Sequence, residues 1–218
     1  PFLANRIKAT LSRMWNWARG KGLTSAPHPC LGVEGYREAR RQVEITPTMF
    51  WDMHDKGDQV LKDWMRLDML IGQRVSDVLR LRRDQIKSKD GGKILPVRAE
   101  KTGTLGHFSI TGDLAGLIDE LLTRQRKATG PYLVQTDDGQ RVTYAMLRNR
   151  FDAARAELKK ESKEAGGEWI DWQMRDLRKA SLNLATTLEE ARRRGLHLDA
   201  RTQVAGDESR RCSHRSRH

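Results

Sequence analysis

The chain has 218 residues, and its 41 lysines and arginines outnumber 29 aspartates and glutamates for a net charge of +12. That surplus favours a polyanionic partner, nucleic acid ahead of an anionic membrane surface; no apolar run approaches the ~18 residues of a membrane-spanning helix. Cys30 and Cys212 are too few for a disulfide framework or a thiolate zinc site, so a reducing, cytoplasmic setting is expected. The first residues do not form a signal peptide, and Pro1 in place of Met predicts a fragment of a longer protein.

In chain order, residues 4–19 carry Ile7, Leu11, Met14, Trp15 and Ala18 on one stripe, which predicts a helix closed by Gly20 and Gly22. Such a stripe needs a partner, and core packing is preferred to base stacking for Trp15 and Trp17. Residues 23–45 contain Pro27, Pro29, Gly32 and Gly35 without sustained periodicity and read as a linker. Thr46 as N-cap and Pro47 at the first helical position open the next helix. Residues 59–71 form a mostly buried one. Leu67, Leu70, Ile71, Val75, Val78, Leu79 and Leu81 keep mostly helical spacing, interrupted by Gly72. Ser76 is expected to cap a second helix there, with Asp77 in its first turn. Arg74 then falls at the bend, where a held guanidinium is a fork of donors suited to phosphate oxygens.

After residue 86 the pattern changes. Lys89-Asp90-Gly91-Gly92 is a turn, and residues 93–99 and 105–110 read as strands joined by Glu100-Lys101-Thr102-Gly103-Thr104. Asp113 is expected to cap a helix with Leu114, Leu117, Ile118, Leu121 and Leu122 inward, closed by Gly130. Residues 131–135 are extended, and Thr143 caps a helix with Leu147, Phe151, Ala154 and Leu158 inward. The last predicted helix, residues 172–194, places Leu177, Ala180, Leu184, Leu188 and Ala191 on one face. Three arginines finish it, where the helix dipole favours cations. No metal-binding motif, P-loop or dinucleotide fingerprint occurs, so no cofactor is expected.

Two of these stretches bear a family likeness. Gly72, Arg74, Ser76, Asp77, Leu79 and Leu81 match the first arginine box of the tyrosine recombinases (phage integrases), Gly-x-Arg-x-Ser-Glu/Asp before a Leu-rich helix. The run Met174-Arg175-Asp176-Leu177-Arg178 resembles their second box, His-x-x-Arg, with Arg178 on the family arginine and Arg175 in the histidine's place. An arginine there donates to a phosphate but, staying charged, does not serve as a proton acceptor. The family carries a catalytic lysine at a hairpin tip, the place of Lys101. Residues 5–23, with 28–35 after them, are similar to the final helix and linker of the family's core-binding domain.

The resemblance implies a mainly α fold with a small antiparallel sheet of about three short strands, α+β in class. It divides the chain into the end of a truncated core-binding domain (1–22), a linker (23–45) and a catalytic-type domain (46–218). Its partner would be double-stranded DNA, bound as a tetramer assembled from free monomers. Arg74 and Arg178 would hold the scissile phosphate, Lys101 would protonate the leaving oxygen, and Asp77 would support Arg74.

The C-terminal part departs from the pattern. The family continues Leu-Gly-His-x-Ser and then Met-Thr-x-x-Tyr, whereas this chain has Ala205-Gly206-Asp207-Glu208-Ser209 and a polar, Arg-rich tail. Asp207 stands where the second histidine belongs and Ser216 where the nucleophile belongs, and no tyrosine follows Tyr144. DNA cleavage is therefore not expected of the chain as written. It reads either as a decayed or frameshifted prophage recombinase or as a recombinase scaffold kept for DNA binding without chemistry.

Overall fold

Thr46 accepts a hydrogen bond through its Oγ1 from the Met49 N–H at 3.2 Å and starts helix α2 (Pro47–Lys56) where the Thr-Pro pair predicts it. In the computed structural model, residues 1–39, 43–89 and 91–184 are described, and the chain divides into two units, 1–42 and 43–218. In the first unit α1 (Phe2–Gly20) is followed by a segment without regular structure, tied back to the helix. The Asn5 side chain donates to the Tyr36 carbonyl and accepts from the Tyr36 N–H, both at 2.8 Å, and Lys8 donates to the Val33 carbonyl. The predicted apolar stripe is present, but α1 has no buried residue; Ile7, Leu11, Met14 and Trp17 are exposed. The core packing expected of this helix is therefore not found, although Trp15 and Ala18 of the stripe are half-buried.

The second unit is organised on α3 (Gln59–Ile71), capped by the Asp58 carboxylate, which accepts from the Leu61 N–H at 3.0 Å. Leu61, Trp64, Met65, Leu67 and Ile71 are fully buried along it. Around it lie α2, α5 (Gly112–Thr123), α6 (Tyr144–Glu164) and α7 (Met174–Asn183). α4 (Val75–Val78) follows α3 after a bend. The sheet is β1 (Lys87–Lys89), β2 (Gly92–Arg98) and β3 (Leu105–Ser109), antiparallel in that order. Its register sets Leu95 opposite Phe108 and Val97 opposite Gly106; Leu95, Val97 and Phe108 face the core while alternate residues face out. Trp172 meets Phe151 edge-on at 4.9 Å, which locks the approach to α7 against α6. Val43 and Ile45 also pack on this core.

Two predicted boundaries move. Thr111, not Asp113, is the N-cap of α5, and Asp113 lies in its first turn, where its charge still suits the helix dipole. α5 ends at Thr123, well before Gly130, because Arg124 turns out of helical geometry to pair with Asp63 on α3. Gly130 serves a different end. A β-carbon there would come within 1.9 Å of the Gly139 carbonyl oxygen, so two loop backbones need a glycine to pass.

The Asp63 pairing is a buried network. With its side chain 1% exposed, Asp63 accepts from Arg124 Nη1 at 2.7 and 2.6 Å and from Gln59 Nε2 at 2.8 Å, with Arg126 at 3.5 Å. Arg83 donates to the Leu121 and Leu122 carbonyls at the end of the same helix. Removing the carboxylate leaves Arg126 with only the Leu121 carbonyl and Arg124 with only Glu120. Asp63→Ala is expected to lower unfolding free energy by about 3–5 kcal/mol, measured by urea denaturation; a loss below ~1 kcal/mol would mean that water already serves these groups.

Candidate active site

Arg74 owes its position to a glycine. Gly72 ends α3 in the left-handed conformation (φ 60°, ψ 36°), and its N–H donates to the Asp68 carbonyl at 2.7 Å. The chain then buries Gln73 and reaches Arg74, whose extended backbone (φ −69°, ψ 146°) makes it the N-cap of α4. Ser76, expected at the cap, instead lies inside α4. The tight turn at Gly72 brings the chain back to helical geometry two residues sooner than the sequence suggests.

Asp77, 3% exposed, joins two elements. One carboxylate oxygen accepts from the Glu100 N–H at 3.2 Å and the other lies 3.8 Å from Arg74 Nη1. Glu100 follows β2 at the base of the hairpin turn, and Lys101 comes next, exposed. Arg80 and Glu100 add an ion pair at 2.6 Å, but both are well solvated and the pair contributes little.

Arg178 arrives from α7, whose Met174, Leu177, Ala180 and Ser181 are buried. Burial, and then the neighbouring Arg74 guanidinium, pull Arg178 below the usual arginine range, while Asp68 and Asp77 oppose the shift. Arginine still stays protonated. Two like charges are thus held close together in a partly dry site, an arrangement that favours an anion. Beneath them Asp68 is fully buried. Burial pushes its carboxyl well above the ordinary aspartate value, against the opposing pull of Arg178 and the Gln73 backbone.

Arg74, Arg175 and Arg178 line one cavity of about 230 Å³ together with Ser76, Tyr144 and Met174. A larger cavity of about 500 Å³, between α2 and α6, has the wrong sign for a polyanion, since Asp52, Asp55, Glu161 and Glu168 line it against a single lysine, Lys56. Among the described residues no group of three or more His, Cys, Asp or Glu side chains suits a metal ion, and no helix is long and apolar enough to cross a membrane.

No protein-family model matches the sequence, and no curated protein sequence does. Solved structures do. The chain superposes on a lambda integrase dimer bound to a COC′ core site with a TM-score of 0.72 at 17% identity, covering 90% of this chain and 56% of that one. Lambda integrase residues 75–356, also a dimer on a COC′ core site, give 0.71 at 17% identity over 90% of this chain and 72% of that one. The Tn1549 transposon integrase in complex with circular-intermediate DNA gives 0.66 at 12% identity over 92% and 73%. The fold is that of a tyrosine-recombinase catalytic domain. Against the longer lambda integrase chain, the sequence spans little more than half its length.

Within this recombinase fold, Arg74, Arg175 and Arg178 are brought together, and Asp77 is placed behind Arg74. Lys101 lies on the hairpin turn beside Glu100 and is not among the residues lining the cavity. Asp207 and Ser216, with the part of the predicted helix after residue 184, fall outside the described residues. Two residues of the site escape the sequence reading. Asp68 had a visible signal, because it shares the apolar stripe of α3 with Leu61, Trp64 and Ile71, where a carboxylate is out of place. Tyr144 had none, since the first residue after a cap is commonly solvated.

Asp68 gives the site a pH signature. With its folded pKa raised above 3.8, the folded state binds more protons than the unfolded one, and its contribution to stability is lost as pH rises from about that value through the folded pKa. Asp68→Asn keeps the shape without ionising and is expected to flatten that decline, making the variant at least as stable as the parent at neutral pH. Urea unfolding at acid and neutral pH checks this; a variant destabilised only at neutral pH would make Asp68 an ionised partner of Arg178.

Proposed function

We propose that the chain is the catalytic domain of a site-specific DNA recombinase of the phage-integrase type, acting on double-stranded DNA in the cytoplasm and lacking its nucleophile as written. The observation that carries this reading is the cavity on which Arg74, Arg175 and Arg178 meet from elements about a hundred residues apart in sequence. Strand transfer piles negative charge on the non-bridging oxygens of a pentacoordinate phosphorus, and guanidiniums held in place offset it in the transition state. Arg74 and Arg178 take that role, with Arg175 adding donors at the more exposed edge. Asp77 orients Arg74, and Lys101, carried on the hairpin that Asp77 tethers, acts as general acid on the leaving 5′ oxygen.

In that scheme a tyrosine hydroxyl attacks the phosphorus, the P–O5′ bond breaks, and the phosphotyrosine keeps the bond energy for rejoining. The chain has Tyr36, Tyr132 and Tyr144 and none after them; Ser216 at the nucleophile position is a poorer leaving group and nucleophile, and Asp207 repels a phosphate. That absence favours a second reading, a DNA-binding module on the recombinase scaffold without chemistry. Solved integrases of this fold include a dimer on a core site and a tetramer on a Holliday junction, which supports assembly of several copies on DNA.

A nicked suicide duplex separates the two readings. The parent chain is expected to give no covalent protein–DNA adduct, and Ser216→Tyr is expected to give one, marking a broken enzyme. No adduct with Ser216→Tyr, together with salt-dependent duplex binding that survives joint replacement of Arg74 and Arg178 by Ala, would leave only the binding module. If the cavity holds a phosphate, that double replacement should lower the slope of log K against log salt by roughly 1.

A further inference from the structure

We infer that Tyr144 is a further contact of the arginine cavity, its hydroxyl donating a hydrogen bond to the DNA phosphodiester that Arg74 and Arg178 neutralise; the inference rests on the phosphodiester reading above. Tyr144 is the first residue of α6 and lines the cavity with the guanidiniums of α4 and α7, so a third element reaches the same space. Its backbone is fixed from both sides: Thr143 Oγ1 accepts from the Met146 N–H at 3.2 Å, and Leu147, one turn on, is fully buried. The residue as a whole is 51% exposed. It is therefore held in place while still open to a ligand.

The other two tyrosines are occupied differently. Tyr132 is approached by the Arg82 and Arg141 guanidiniums at 5.9 and 5.8 Å from its ring centroid, and Tyr36 belongs to the first unit, bonded through its backbone to Asn5. Among the described residues Tyr144 shows no ring contact and no hydrogen-bond partner for its hydroxyl. A phenol beside three arginines adds what they lack, a neutral and directional donor. Hydrogen bonds from O–H groups to anionic oxygens are short and strong for their type. The arginines fix the sign of the ligand, and the phenol fixes where one of its oxygens lies.

The test uses the full chain and a fluorescently labelled duplex, with affinity followed across a salt series. Tyr144→Phe removes one oxygen at an exposed position and is expected to weaken binding on the order of tenfold, the effect of losing a hydrogen bond to a charged group. Because a neutral donor displaces no counterion, the slope of log K against log salt should not change, whereas joint replacement of Arg74 and Arg178 by Ala should make it shallower by about 1. Parent-like binding by Tyr144→Phe alongside a shallower slope for the joint arginine replacement overturns the role of Tyr144 and leaves the cavity standing. An unchanged slope for the joint replacement of Arg74 and Arg178 by Ala overturns the phosphodiester reading and the inference with it. A changed slope for Tyr144→Phe, or an adduct trapped on Tyr144 itself, overturns the donor role by making the phenol a strut for the arginines or a nucleophile.

Discussion

One buried carboxylate ties the candidate site together. Asp77 is almost wholly withdrawn from water, and a charge in that position needs partners within the protein. It finds an amide of the hairpin on one oxygen and approaches a guanidinium on the other. The hairpin that carries Lys101 is thereby referenced to the bend that carries Arg74. Neither element has much local structure of its own, α4 being four residues long and the hairpin turn exposed. Their relative placement therefore draws on this contact as well as on the buried Leu95, Val97 and Phe108 of the sheet and the buried Val75 and Val78 of α4.

Where the sequence could be read directly, the rules involved were short-range. Thr46 and Pro47 mark a helix start, Thr143 marks another, and Gly72 marks a break, because each acts through neighbours within a turn. The two strands flanking Lys101 follow from alternation and a glycine turn. Arg74 stood out at the bend the spacing predicts, but its role and that of Arg178 came from resemblance. What stayed hidden depended on partners distant in the chain. The end of α5 is decided by a carboxylate 61 residues earlier, and Tyr144 gains interest only when α4 and α7 lie beside it. The cap moved from Ser76 to Arg74 because backbone geometry at Gly72, invisible in a residue count, sets where the next helix begins.

The arginine cavity is held against its own repulsion. Arg178 is destabilised by burial and by Arg74, and Asp68 beneath it is destabilised by burial alone. Local arrangements of this kind persist where the surroundings are over-determined. Here that support is α3, whose fully buried Trp64, Leu67 and Ile71 flank Asp68 in sequence and anchor the helix on which it sits. A binding site of this sort draws on stability supplied by the core next to it.

The two cavities of the second unit carry opposite signs, arginine in the smaller and carboxylate in the larger. A polyanion near this unit is attracted at the one cavity and repelled at the other. For the duplex DNA proposed as its ligand, that contrast would favour approach at the guanidiniums, and added salt would blunt it.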